Sequence, residues 1–223
     1  MNFNEYLDED MLSIQLAHRL AGALNTALET QDRAFLVVPG GTTPGPVFDI
    51  LCATRLDWSR VDVALSDERW RPEEHIRSNT KLLRERLFVE RAAQATHVPL
   101  YRRAETPEEV IDDLAAGIEA RLPIDVLLLG MGTDMHTASL FPGGDRIEEA
   151  LSRDAPVLVP MRAEGEPEPR ITMSARVLND AMSKHLVIMG DAKRGALDRA
   201  RSMTPLQAPV AAVLDDIEVH WAP

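Results

Sequence analysis

The stretch Val126-Leu-Leu-Leu-Gly-Met-Gly-Thr-Asp-Met-His-Thr-Ala-Ser-Leu-Phe-Pro-Gly-Gly144 opens with an unbroken apolar run, Val126 to Leu129. It is short enough to be a strand buried on both faces, as the strands of a parallel sheet are. Gly130 and Gly132 end the strand and allow a turn that other residues resist. Asp134, His136, Thr137 and Ser139 follow at once. Polar side chains just past the carboxyl end of a buried strand sit where open α/β sheets bind ligands. A lone histidine in a turn is ordinarily structural. Here a carboxylate two residues away, the glycines and the hydroxyls point to chemistry instead.

The same pattern recurs on both sides. Ala34 to Val38 is a second buried strand, and it breaks into Pro39-Gly-Gly-Thr-Thr-Pro-Gly45. Thr43 is placed to cap the next helix, with Pro44 at its first position. A strand, then glycines and hydroxyls, then a helix start suits phosphate, because backbone N–H groups and the helix dipole both favour an anion. The Gly-Lys-Ser/Thr ending of a Walker loop is missing. The alternative is a tight, well-capped turn. Val61 to Leu65 is a third strand and runs into Ser66-Asp-Glu-Arg-Trp70. There Asp67 and Arg69 form either a structural ion pair or part of a site. Leu186 to Met189 leads into Gly190-Asp-Ala-Lys-Arg194. Cations in a helix's first turn oppose its dipole, so Lys193 and Arg194 either serve an anion or point to water.

Between these lie helical patterns. Leu12, Leu16, Leu20, Leu24 and Leu28 form one apolar face. Ser78 or Asn79 caps a helix carrying Leu82, Leu83 and Leu87. Thr106-Pro-Glu-Glu109 is a capping box for a helix running to Arg121. A short helix is expected near Ile147 to Leu151, strand-like stretches near Pro156 to Val159 and Arg170 to Ser174, a last helix from about Pro205, and a last strand from Ile217 to Trp221. Arg162 to Pro169 is a polar loop, a candidate lid. His97, His185 and His220 lie in or beside strands and read as structural; His18 reads as exposed, and His75 lies in a loop. The alternation predicts one α/β domain over residues 1–223: three layers, with a mostly parallel, Rossmann-like sheet and helices on both faces. The glycine-threonine, Ser-Asp-Glu-Arg and histidine segments all follow strands and can converge on one edge.

At 223 residues, the chain can bury a sizeable core. Its net charge of -12 argues against nucleic acid or an anionic membrane as the main partner, yet a cleft can be locally positive. The single cysteine, Cys52, excludes an internal disulfide and reads as a small core residue. The acidic amino-terminal decapeptide does not read as a signal peptide, and no apolar run is long enough to span a bilayer. A cytoplasmic location follows. Oligomeric state stays open, with a monomer expected.

Gly40-Gly-Thr-Thr-Pro44, Ser66-Asp-Glu-Arg-Trp70, Ser78-Asn79, Gly130-Met-Gly-Thr-Asp-Met-His-Thr-Ala-Ser-Leu-Phe-Pro-Gly143, Arg170-Ile-Thr172 and Gly190-Asp-Ala-Lys193 resemble, in order and approximate spacing, the 6-phosphogluconolactonase family. The resemblance covers essentially the whole chain. Related aminosugar-phosphate isomerases share the glycine loop and the histidine but diverge after it, and Thr137-Ala-Ser-Leu-Phe141 is lactonase-like. The family usually has Asp-Gly-His where this chain has Asp134-Met135-His136. The expectation is that the backbone there is ordinary and that Met135 packs.

The resemblance implies hydrolysis of 6-phospho-D-glucono-1,5-lactone, a small phosphosugar substrate, with no cofactor and no metal. The residues suit that chemistry. Histidine is the side chain suited to take a proton from water and return it to the leaving ring oxygen, which makes His136 the candidate general base and then acid. Asp134 would orient His136 or hold a hydroxyl, and glycine-turn N–H groups would serve as oxyanion donors. Gly40, Gly41, Thr42, Thr43, Arg69, Arg170 and Lys193 would hold phosphate, and Asp67 would meet sugar hydroxyls or water. The rival readings are an aminosugar-phosphate isomerase/deaminase with Asp67 as base, and a silent sugar-phosphate binder. A nucleotide-dependent oxidoreductase is disfavoured, because Gly130-Met-Gly-Thr-Asp-Met135 lacks the third glycine of the fingerprint.

Overall fold

A computed structural model describes residues 1–223. In chain order the elements are β1 (Asn2–Glu5), α1 (Glu9–Thr30), β2 (Ala34–Val38), α2 (Gly45–Leu51), β3 (Val61–Leu65), β4 (Asp67–Arg69), α3 (Asn79–Arg86), β5 (Thr96–Val98), α4 (Ile111–Glu119), β6 (Val126–Gly130), α5 (Ile147–Leu151), β7 (Leu158–Met161), β8 (Arg170–Met173), α6 (Ala175–Asn179), β9 (Ser183–Met189), α7 (Asp191–Ala200) and β10 (Glu218–Ala222). Seven strands form one sheet in the order β1-β10-β9-β6-β2-β3-β5, and every pairing in it is parallel. The apolar run Val126 to Leu129 lies in β6, its middle strand. Such a strand has neighbours on both edges and cover on both faces, which is why no polar side chain interrupts Val126 to Leu129. The predicted α/β fold with a mostly parallel sheet is borne out.

α1 starts where Asp8 accepts a hydrogen bond from the Met11 N–H at 2.8 Å. Glu9 and Asp10 in its first turn suit the dipole. Leu12, Leu16, Leu20 and Leu24 are fully buried, so the four-residue spacing is the face that covers the sheet. They belong to one continuous cluster of 64 buried apolar residues.

Several elements depart from the sequence reading. A second, antiparallel sheet of order β4-β8-β7 branches from the end of β3. Its first strand has three charged residues and shows no apolar period. β1 pairs with β10 although Phe3 is the one apolar residue in Asn2 to Glu5; an edge strand needs only half a ladder and little apolar cover. The capping box at Thr106 is present, but it closes a 3-10 turn, and α4 starts afresh at Ile111 and ends at Glu119. No helix begins at Pro205: Thr204 to Gln207 make a turn, and Pro209–Val213 form a 3-10 segment. The strand expected near Pro156 to Val159 is Leu158–Met161. No helix is long and apolar enough to cross a membrane.

Candidate active site

The chain passes from β2 to β3 on one side and returns to β6 on the other, so the strand order reverses between β2 and β6. Ligands bind open α/β sheets at such a reversal, beyond the carboxyl ends of the strands. A cavity of about 300 Å³ opens there, reached by the loops after β2, β3 and β6 and by β8 and α7. Gly40, Gly41, Thr42, Thr43, Asp67, Arg69, His136, Arg170 and Lys193 all line it. Of the site residues expected from sequence, only Asp134 does not; it stands behind His136.

The histidine is held by its own loop. Asp134 Oδ1 lies 2.6 Å from His136 Nδ1. The Gly132 N–H donates to His136 O at 3.0 Å, and the Met135 N–H donates to Gly132 O at 3.0 Å. A Cβ at Gly132 would collide with the Asp134 carboxylate and the His136 ring. Glycine is therefore required there for space. Burial pushes the Asp134 carboxyl up, but its contacts with His136 outweigh burial and hold it below the usual range. An ionised Asp134 accepts a hydrogen bond from Nδ1–H. Nε2 then carries the lone pair, and it has no hydrogen-bond partner in the protein.

Met135 does not sit in an ordinary backbone region: its φ is +68°. This corrects the expectation from sequence. The left-handed turn is held on both sides, since Met135 O also accepts from the Val210 N–H at 3.0 Å. The side chain does pack against the core. The Gly132 N–H is used within the turn, which removes it from the expected oxyanion donors. The N–H groups of Gly40, Gly41 and Thr42 donate to no acceptor in the protein.

Asp67 is buried, with Ser66 Oγ 3.1 Å from Oδ1 and Ser139 Oγ 2.6 Å from Oδ2. It forms no ion pair with Arg69; its nearest cation is Arg170, at 4.0 Å. Arg69 instead donates to Asn79 Oδ1 at 2.9 Å and to Arg77 O at 2.8 Å. Arg69 and Arg170 stand directly opposite each other on β4 and β8. Burial, and then the charge of Arg170, push the Arg69 guanidinium below its usual range. Like charges facing across strands are destabilising, which makes sense where an anion belongs between them. Glu166, from the polar loop, pairs with Arg170 and lines the same cavity.

Lys193 reaches across from α7 to Thr43 Oγ1 at 3.2 Å, and burial pushes its ammonium down. Thr43 therefore does not cap α2. That helix starts one residue late, at Gly45, with Pro44 as an N-cap lacking a side-chain bond. Arg194 turns away and stacks 4.3 Å over the Trp221 ring, so only Lys193 of that pair serves the cleft.

Two residues were not singled out for the site from sequence. Glu68 is wholly buried and accepts from the N–H groups of Asn79 (2.8 Å), Thr80 (2.7 Å) and Arg69 (2.7 Å) and from the hydroxyls of Ser78 and Thr80. It ties β4 to the start of α3. Strand alternation put it opposite Asp67 and Arg69, and that was the available signal. Asn79 read only as a possible cap. Ser78 is the N-cap. Asn79 holds Arg69 and donates to Asp67 O at 3.1 Å, in space that a Cβ at Gly40 would fill.

The chain matches the family model for glucosamine-6-phosphate isomerases/6-phosphogluconolactonase over residues 7–221. It is 40% identical over 230 residues to a 6-phosphogluconolactonase of Rhizobium meliloti, covering 100% of this chain and 99% of that protein. To a 6-phosphogluconolactonase of Pseudomonas aeruginosa it is 40% identical over 212 residues, or 93% of this chain and 89% of that one. A crystal structure of a 6-phosphogluconolactonase from Shewanella baltica superposes with a TM-score of 0.96 at 32% identity, covering 100% of this chain and 98% of the other.

Proposed function

Since the chain belongs to the glucosamine-6-phosphate isomerase/6-phosphogluconolactonase family, we propose that it hydrolyses 6-phospho-D-glucono-1,5-lactone to 6-phospho-D-gluconate in the oxidative pentose phosphate pathway. The observation that carries this reading is one cavity lined by three cations and by His136, which Asp134 holds from behind. The cationic end, made of Arg69, Arg170 and Lys193, takes the phosphate, and the Gly40–Thr43 loop adds its unpaired N–H groups. The lactone carbonyl then lies toward His136.

His136 Nε2 takes a proton from water as the water oxygen attacks the carbonyl carbon. The C–O bond to the ring oxygen breaks as the tetrahedral intermediate collapses, and His136 returns its proton to that oxygen. The new carboxylic acid ionises, so each turnover releases one proton. Asp134 fixes the ring and its tautomer and stabilises the imidazolium, while Asp67 meets sugar hydroxyls or water. The protein is read as a cytoplasmic monomer whose partner is this small phosphosugar, not nucleic acid.

The test is proton release from freshly generated lactone, with spontaneous opening subtracted, for wild type beside His136→Ala. Fast turnover that falls about 10²–10⁴-fold in the variant supports both reaction and residue. Equal turnover in both proteins keeps the reaction and removes His136 from it. No turnover above background, together with ring opening of glucosamine 6-phosphate, would assign the isomerase reaction. Binding of a phosphosugar without turnover would assign a silent binder.

A further inference from the structure

We propose that His185, His220 and Glu218, on β9 and β10 and outside the catalytic cleft, form a binding site for one zinc-class divalent ion that clasps the two strands. In the parallel register Glu218 stands beside His185, and His220 follows two residues on, so all three share one face of the sheet. His185 Nδ1 and His220 Nε2 face each other at 3.1 Å, and Glu218 Oε2 is 3.9 Å from the same Nε2. One ligand atom from each falls within 4.8 Å of the others. Tetrahedral zinc with Zn–N bonds of about 2.0–2.1 Å sets its donor atoms about 3.3 Å apart. The two nitrogens are already near that spacing. The Glu218 side chain is 37% exposed and closes the remainder by rotating.

The outer nitrogens carry the second half of the case. His220 Nδ1 is 2.8 Å from the Tyr6 hydroxyl, and His185 Nε2 is 3.0 Å from Ser183 Oγ. Histidines that bind metal are fixed in this way, each donating its other N–H to an oxygen. Without a metal, one of the two facing nitrogens donates to the other; a tautomer shift that puts the protons on Nδ1 of His220 and Nε2 of His185 gives both hydroxyl oxygens a hydrogen bond and leaves a lone pair on each facing nitrogen. Both rings stay neutral in that arrangement, so a cation enters without expelling a proton. Two imidazoles, one carboxylate and a water make a donor set that favours zinc over magnesium or calcium. Two residues of the groove between β1 and α1 touch the cluster: Tyr6 meets His220, and Arg19 meets Glu218 at 3.2 Å.

Chelator-stripped full-length protein carrying His136→Ala, which removes the cleft histidine as a ligand, is titrated with zinc chloride in equilibrium dialysis. One zinc per chain is expected, bound at least tenfold more weakly when Glu218→Gln or His220→Gln is added. Glu218 is partly exposed, so its variant keeps the test open if the His220 variant does not fold. Cobalt(II) in place of zinc should show the visible absorption of a tetrahedral site, and Glu218→Gln should abolish it. Binding below one equivalent in the folded His136→Ala protein, or binding that Glu218→Gln leaves unchanged, overturns the proposal.

Discussion

Ser139 donates its hydroxyl to Asp67 Oδ2 at 2.6 Å, joining the histidine loop to the start of β4 across 72 residues of sequence. Both residues are buried, so this bond sets the distance between the two halves of the cleft. Ser139→Ala leaves that oxygen with no partner nearer than Arg170 at 4.0 Å. An unsatisfied buried acceptor costs about 1–3 kcal/mol. Urea unfolding should show that loss, and kcat/KM should fall about tenfold or more as Asp67 shifts. Unchanged stability and unchanged kcat/KM would show that the bond positions nothing.

Gly132 makes a different prediction. It lacks positive φ, so alanine strains no backbone there. Its new methyl group would instead displace the Asp134 carboxylate and the His136 ring. Both are side chains near the surface and move without unfolding anything. Gly132→Ala should therefore lose about 10²-fold or more in kcat, approaching the loss in His136→Ala, while its unfolding midpoint stays near wild type. Full activity would mean that the dyad is not the reacting pair.

How much of this was legible in sequence depended on whether a residue's role is local. β2, β3 and β6 are buried on both faces, and their apolar runs say so directly. The Asp134–His136 contact spans two residues, and the motif itself suggests it. The Arg69–Arg170 relation was not readable because strand register fixes it, and the Ser139–Asp67 bond was not because it joins a loop to a strand 72 residues away. Glu68 was hidden for a related reason. A carboxylate among charged neighbours reads as solvated until the N–H groups of α3 are seen to converge on it. Met135 shows the limit of local rules, since a turn bond to Gly132 and a long-range bond from Val210 hold a methionine where backbone preference alone argues for glycine.

That last position is testable. At φ +68° a straight side chain is uncomfortable and a β-branched one is far worse. Met135→Val should cost about 1–3 kcal/mol through strain at this turn. Met135→Gly relieves strain but gives up packing against the core, so its stability should stay within about 1 kcal/mol of wild type and its activity should persist. Thermal or urea unfolding of the two variants side by side decides it. Valine as stable as wild type would mean that the turn relaxes out of the left-handed region.

His97 predicts how stability depends on pH. Burial, and then the charge of Arg84, push its imidazole down to about 4; Glu73 opposes this weakly. The Arg84 guanidinium is 3.2 Å from its Nδ1, and Phe88 meets the ring edge-on. In the unfolded chain the same group titrates near 6.5. The unfolded state thus binds the proton first, and acid favours unfolding. The stability this group provides is complete above about pH 6.5 and is lost as pH falls through about 4. Other buried histidines contribute in the same direction, so the informative quantity is a difference between proteins. Wild type should lose about 2–3 kcal/mol more than His97→Gln between pH 7.5 and pH 4, measured by urea unfolding at each pH. The two proteins would follow parallel curves if the His97 ring were already protonated, or free to reach water, in the folded state.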